Sequence, residues 1–88
     1  MAWTIDIPAP VNKTLAKLDP LARRRIINFL YDRVAQAENP RLLGRPLSGP
    51  LRGFWRYRVG DYRIVVEIID TAMIVVVVGA GPRQNVYD

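Results

Sequence analysis

The sequence predicts a small α+β fold, with two helices near the N-terminus covering one face of a four-stranded, antiparallel-dominated sheet. Two observations predict this class. Apolar residues recur at helical spacing in the first part of the chain, and three strand-like runs follow a loop rich in glycine and proline. The expected order is β-α-α-β-β-β. The 88 residues, 50% of them hydrophobic, are enough for one core, so we expect a single domain over residues 1–88.

The N-terminal part is predicted to hold one strand and two helices. Apolar and polar residues alternate from Trp3 to Ile7, which indicates a half-buried strand. The second helix should begin at Asp19-Pro20, a capping residue followed by proline at the first helical position, and run to about Gln36. The apolar stripes expected are Val11, Leu15 and Leu18 on the first helix and Ile27, Leu30, Tyr31 and Val34 on the second.

The C-terminal half is predicted to supply the rest of the sheet. Residues 38–53 are dense in glycine and proline, which indicates an ordered surface loop. Three strands should follow, at about 54–59, 62–69 and 73–78, and the last is apolar on both faces, as a central strand would be. Because two helices can cover only one face, the other face should stay partly open.

Composition narrows the possible functions. The chain has no cysteine and no histidine, which excludes a disulfide, a thiolate nucleophile and the usual general base, and its scattered carboxylates predict neither a metal site nor a cofactor. The net charge is +5, and every basic residue except Lys13 and Lys17 is arginine. Arginine suits bidentate contact with phosphate, so a nucleic-acid partner is the first hypothesis, although an arginine-favouring genome would give the same composition. Without a signal peptide or a membrane-spanning stretch, we expect a cytoplasmic location.

The strongest local pattern is a predicted hairpin at residues 54–69. Gly60-Asp61 has the form of a two-residue type II′ turn, which sets Arg58 opposite Arg63 and puts Arg56 on the same face. Like charges facing each other across strands are unfavourable, and a bound phosphate would offset the repulsion. The alternative is that the arginines extend separately into water, with Glu67 pairing Arg56.

The run Trp55-Arg56-Tyr57-Arg58-Val59-Gly60-Asp61-Tyr62-Arg63-Ile64, with an apolar strand and a Val86-Tyr87 ending after it, resembles the RelE branch of the RelE/ParE toxins. The resemblance implies a metal-independent, ribosome-dependent mRNA endonuclease that a cognate antitoxin protein inhibits. It implies attack by a ribose 2′-OH on the adjoining phosphate. The catalytic residues it implies are Arg58, Arg63, Arg83 and Tyr87, and we expect Arg56, Arg52, Lys13 and Lys17 to bind RNA.

The chain also departs from the family pattern, and the departures keep alternatives open. Some relatives have lysine where Arg56 and Arg58 stand, and many have histidine at the position of Pro82. Arginine cannot act as a base at neutral pH, which leaves Tyr87 and Glu67 as weak proton acceptors. The alternatives are a ParE-like gyrase-inhibiting toxin and a RelE-like binding protein that has lost catalysis.

Overall fold

In a computed structural model, which describes residues 2–82, the chain forms a five-stranded mixed sheet with helices on one face. The helices are α1 (Ala9–Ala16) and α2 (Pro20–Asn28). The strands are β1 (Thr4–Asp6), β2 (Arg45–Pro46), β3 (Trp55–Val59), β4 (Tyr62–Ile69) and β5 (Ile74–Pro82). Their order in the sheet is β1-β5-β4-β3-β2, in which β1 and β5 are parallel and the other pairs antiparallel.

The predicted fold class is confirmed, but the predicted number of strands is wrong. The fifth strand, β2, lies inside the loop rich in glycine and proline, where two residues are too few to show a strand pattern. The last predicted strand does lie inside the sheet, between β1 and β4, as its apolar residues indicated, and it extends to Pro82.

The second helix begins as predicted and buries a different stripe. Asp19 Oδ2 accepts a hydrogen bond from the Ala22 N–H at 3.2 Å, and Pro20 opens the helix. The chain continues as a π-helical stretch, Phe29–Val34, whose widened turn is closed by a 2.9 Å bond from the Ala35 N–H to the Leu30 carbonyl. The buried positions recur every fourth residue: Ala22, Ile26, Leu30 and Val34.

Of the residues assigned to that stripe, Leu30 and Val34 are confirmed, Ile27 packs against the core only partly buried, and Tyr31 is misplaced. Ile27 is half-buried and Tyr31 is 47% exposed, whereas Ile26 is fully buried. One residue along a helix turns the side chain by about 100°, so positions 27 and 31 lie beside the buried line rather than on it.

The core lies between the helices and one face of the sheet. Leu15 of α1 and Ile26 of α2 are fully buried in it. Tyr57, Ile64 and Val66 are the fully buried side chains from β3 and β4. We call this side of the sheet the helix-covered face. Within residues 2–82, no helix is long and apolar enough to cross a membrane.

The segment between α2 and β3 is held in place by specific contacts. The buried Tyr57 hydroxyl donates a 2.9 Å hydrogen bond to the Pro40 carbonyl. Gly44 passes so close to β3 that a Cβ atom there would lie 2.5 Å from the Arg56 carbonyl oxygen. The Leu47 N–H bonds the Phe54 carbonyl at 3.0 Å, which extends the pairing of β2 with β3. The segment is ordered, as predicted, and it belongs partly to the sheet.

Candidate functional site

The hairpin of β3 and β4 has the predicted register. Arg58 pairs with Arg63, Arg56 with Val65, and Val59 with Tyr62 across the turn. Gly60 has a φ of 59°, and Asp61 does not share this left-handed conformation, as a type II′ turn requires. In a two-residue hairpin, the second pair from the turn is the one with the shorter Cα separation, about 4.5 Å. That pair is Arg58 and Arg63, so the two arginines are held side by side.

The two members of this pair differ in exposure. Arg58 is exposed, whereas Arg63 is only 4% exposed, the one buried charged residue in the described part of the chain. The prediction of an open face is therefore wrong at Arg63. The position in the sheet explains the difference: β4 has neighbours on both sides, but Arg58 lies beyond the end of the two-residue β2.

A further arginine, missed in the sequence, joins the same face. Arg45 of β2 pairs directly with Arg56 of β3, so both side chains lie on the side that carries Arg58 and Arg63. Arg45 was hard to predict as a strand residue, because it stands between Gly44 and Pro46 in a segment whose composition is typical of a loop. We call this side of the sheet the arginine face; it carries Arg45, Arg56, Arg58, Arg63, Val65 and Glu67.

Two concave regions lie on the arginine face. A cavity of about 250 Å³ at the hairpin turn is lined by Arg58, Arg63, Asp61 and neighbouring turn residues. A groove of about 610 Å³ beside it has a lining that includes Arg45, Arg56 and Arg58, and its other lining residues are Leu42, Leu43, Gly44 and Pro46. Arg58 lines both, so the two concave regions adjoin.

Small residues flank the buried arginine on its other side. Gly81 of β5 pairs with Arg63, and Gly79 pairs with Val65. The ladder slips between Val65 and Val66, which leaves Val78 as an extra residue in β5 and bends the strand there. No β5 side chain therefore stands directly beside the Arg63 guanidinium on the arginine face.

The other residues predicted to bind RNA are not all brought to this face. Lys13 and Lys17 are exposed at α1, in the helical layer on the opposite side of the sheet. Arg52 is exposed in the turn before β3, where Gly53 has a φ of 101° and the Phe54 N–H bonds the Leu51 carbonyl at 3.0 Å. Arg83 and Tyr87 lie outside the described residues.

Glu67, the predicted weak base, lies on the arginine face but away from the arginine pair. It is exposed on β4 and pairs with Val76. Four residues of strand, about 13 Å, separate its Cα from that of Arg63. Asp61, treated in the sequence only as a turn residue, lines the cavity beside Arg58 and Arg63. Among the described residues, no three carboxylates are grouped as ligands of a metal ion would be.

Another arginine forms a structural ion pair. Arg41 Nη1 and Nη2 donate to Asp70 Oδ1 and Oδ2 at 2.9 and 2.6 Å, and the guanidinium lies 5.8 Å from the centre of the Trp55 ring. The hydrogen bond from Arg41 and its charge lower the pKa of Asp70. This pair ties the loop before β2 to the turn after β4, and it lies apart from the residues that line the two concave regions.

These features match known proteins of one class, the toxins of type II toxin–antitoxin systems. Residues 9–87 match the family described as the ParE toxin of the type II toxin–antitoxin system parDE. The chain is 26% identical to Toxin RelG of Mycobacterium tuberculosis over 87 residues, 99% of this chain and 98% of RelG.

Solved structures agree with this class. The RelBE2 toxin–antitoxin complex of M. tuberculosis contains a chain that superposes with a TM-score of 0.86 at 25% identity, covering 94% of this chain and all of that one. An arginine-substituted mutant of the Escherichia coli toxin RelE, in the free state, gives a TM-score of 0.76 at 26% identity, covering 96% of this chain and 86% of that one. The chain belongs to the RelE/ParE toxin superfamily and is a toxin of the RelE type, which confirms the resemblance seen in residues 55–64.

Proposed function

We propose that this toxin is a ribosome-dependent mRNA endonuclease that inhibits translation without a metal ion. The observation that carries the proposal is the pairing of Arg58 with Arg63 at adjoining positions of the hairpin, where both line one cavity. Two guanidinium groups side by side match the charge and the planar hydrogen-bonding pattern of a phosphodiester. Two like charges facing each other across strands are unfavourable, and a phosphate between them would offset the repulsion.

The chemistry follows from what two arginines can do. The 2′-OH of one nucleotide attacks the adjoining phosphorus and the bond to the 5′-oxygen breaks, which leaves a 2′,3′-cyclic phosphate and a 5′-hydroxyl. Negative charge on the non-bridging oxygens grows in the pentacoordinate transition state, so donors fixed beforehand bind that state more tightly than the substrate. Arg58 and Arg63 take this role, and Arg83 and Tyr87 complete the set by the family resemblance.

The residue that accepts the proton of the 2′-OH has still to be identified. Arginine keeps its proton, with a pKa above about 12, so Arg56 and Arg58 cannot fill the place that lysine has in some relatives. Glu67 lies two residues along β4 from Val65, the partner of Arg56, whereas Asp61 lines the same cavity as the arginine pair. A comparison of the pH–rate profiles of Glu67→Gln and Asp61→Asn tests the two carboxylates. If the fall in rate at acidic pH disappears in one variant, the carboxylate replaced in that variant is the proton acceptor. If both variants keep this fall, Tyr87 is the remaining candidate.

The proposed partners are a cognate antitoxin, the ribosome and mRNA. A related toxin has been solved in a toxin–antitoxin complex, and the net charge of +5 here suits an acidic segment that covers the arginine face. Arg56 and Arg52 would bind RNA backbone near the cleavage site. Lys13 and Lys17, on the opposite side of the molecule, would bind ribosomal RNA, and such contacts weaken as salt rises.

Cleavage of ribosome-bound mRNA by the purified toxin tests the activity. The parent protein should still cut the mRNA after it has been treated with EDTA, and the products should carry 2′,3′-cyclic phosphate ends. Arg63→Ala should lower the rate by about 10²–10³-fold, the usual effect of removing one preorganised donor. Arg63→Lys keeps the charge but loses the planar fork, so it should recover only part of the rate. Because Arg63 is buried, each rate is divided by the folded fraction measured by circular dichroism.

The alternatives predict different results. Arg24→Ala, at an exposed position in the helical layer, is the control for loss of one positive charge and should cut like the parent. Inhibition of gyrase supercoiling without mRNA cleavage would favour the ParE-like alternative. A protein that binds its antitoxin but neither cuts mRNA nor inhibits gyrase would be a RelE-like binder without catalysis.

A further inference from the structure

We infer that the groove beside the arginine pair is a second phosphate subsite for single-stranded RNA, in which Arg45 and Arg56 bind the phosphate next to the scissile one. The inference deepens the proposed function and rests on it for the identity of the strand that is bound. Nothing in the sequence pattern pointed to Arg45, because its strand is only two residues long.

The first support is the register of three neighbouring strands. Arg45 pairs with Arg56, and Arg58 pairs with Arg63, so two arginine pairs stand on one face. Arg56 and Arg58 are two residues apart on β3, which separates the pairs by about 7 Å along the strand. This repeat is comparable to the distance between successive phosphates in an extended single strand, so each pair can take one phosphate.

The second support is the direction of the track that the four arginines form. It starts at Arg63 in β4, passes through Arg58 and Arg56 in β3, and ends at Arg45 in β2. Two inter-strand steps and one step along β3 place its ends about 12 Å apart. The track runs diagonally across the strands, so a bound backbone would cross the hairpin and enter the groove.

The third support is the mixed chemistry of the groove. Its lining combines three arginines with Leu42, Leu43 and Pro46. Leu42 is 82% exposed, so a large apolar side chain is open to solvent in the same groove as the arginines. Sites for unpaired nucleic acid combine a basic track for the backbone with an apolar surface for the bases. An extended acidic peptide would use the same cations at a similar spacing, so the test below includes one as a competing ligand.

Binding of an uncleavable strand tests this subsite independently of catalysis. The probe is a fluorescently labelled single-stranded oligoribonucleotide that is 2′-O-methylated throughout, and the readout is anisotropy over a series of salt concentrations. Arg45→Ala should weaken binding about fivefold at about 0.1 M salt and reduce the slope of log K against log salt by about 0.7, the value for one phosphate of a single strand. Arg45→Lys should restore most of the slope.

Arg24→Ala is the matched control, because it removes the same charge from an exposed position in the helical layer. Equal binding by Arg45→Ala and Arg24→Ala, or no binding by the parent, would overturn the subsite. The subsite would also be wrong if Arg45→Ala weakened binding of a polyglutamate peptide but not of the RNA probe. If the parent binds the probe through Arg45 yet never cuts ribosome-bound mRNA, the subsite stands and the proposed endonuclease activity fails.

Discussion

The two faces of the β3–β4 hairpin come from one continuous run, residues 55–69, and have different roles. On the helix-covered face, Tyr57 and Ile64 are fully buried and pack against the helices. On the arginine face, Arg58 opposes Arg63, and like charges paired in this way are expected to lower stability. Neighbouring residues of a strand point to opposite faces of the sheet. Alternate positions of the same strand can therefore serve stability on one face and function on the other. Substitutions on the two faces should therefore give opposite results.

The largest expected effect is that of Arg58→Ala on the arginine face. Cleavage of ribosome-bound mRNA should fall by at least about 10²-fold, because one of two donors to the phosphate is lost. The free energy of unfolding should stay the same or rise by about 0.2–1 kcal/mol, because the opposed charge is removed. Urea unfolding followed by tryptophan fluorescence checks the second part. A variant that loses stability and activity together would contradict the separation of the two faces.

The fold was predictable because this hairpin obeys local rules. Gly60 in a two-residue turn fixes the register, and the register then places Arg56, Arg58 and Arg63 without reference to the rest of the chain. Those rules do not predict the burial of Arg63, because that burial depends on neighbours that are distant in sequence. The same holds for Arg45, whose position is defined only by its pairing with Arg56.

The contact between Arg41 and Asp70 is another feature that local sequence rules could not predict. The two residues are 29 positions apart, and no spacing rule connects them. Arg41 has the same side chain as the arginines of the arginine face, and its ion pair with Asp70 is visible only in the fold. Arginine content therefore supports a hypothesis about the class of partner, while the role of each arginine required the fold.

The next largest effect should come from Gly44, which lies where β2 approaches Tyr57 and the backbone of β3. A Cβ atom at this position would lie 2.5 Å from the Arg56 carbonyl oxygen and 2.8 Å from the Tyr57 ring. Gly44→Ala should therefore lower the free energy of unfolding by about 1–3 kcal/mol, as overpacking does. Gly79→Ala is the matched control, since a Cβ there meets nothing within 4 Å. Equal stabilities for the two variants in urea would contradict the close approach.

Tyr57→Phe tests the helix-covered face at a single polar atom. The hydroxyl bond to the Pro40 carbonyl is lost, which should cost about 1 kcal/mol. Burial raises the pKa of Tyr57 to about 12, from 10.0. A raised folded-state pKa gives stability that is complete below pH 10 and is lost as the pH rises towards 12. The parent should therefore lose its advantage over Tyr57→Phe across this interval, whereas Tyr31→Phe, at an exposed position, should follow the parent.

The smallest effect is expected for Asp70→Asn, which removes the carboxylate partner of Arg41 and leaves the arginine face intact. Arg41 holds the pKa of Asp70 below the ordinary value of 3.8. The ion pair therefore stabilises the fold above that pH, and its contribution disappears as the pH falls through the lowered folded-state pKa. The melting temperatures of parent and variant should differ slightly at neutral pH and converge in acid. Asp32→Asn, an exposed helical position, is the control, and mRNA cleavage should be retained in both variants because neither residue lines the concave regions of the arginine face.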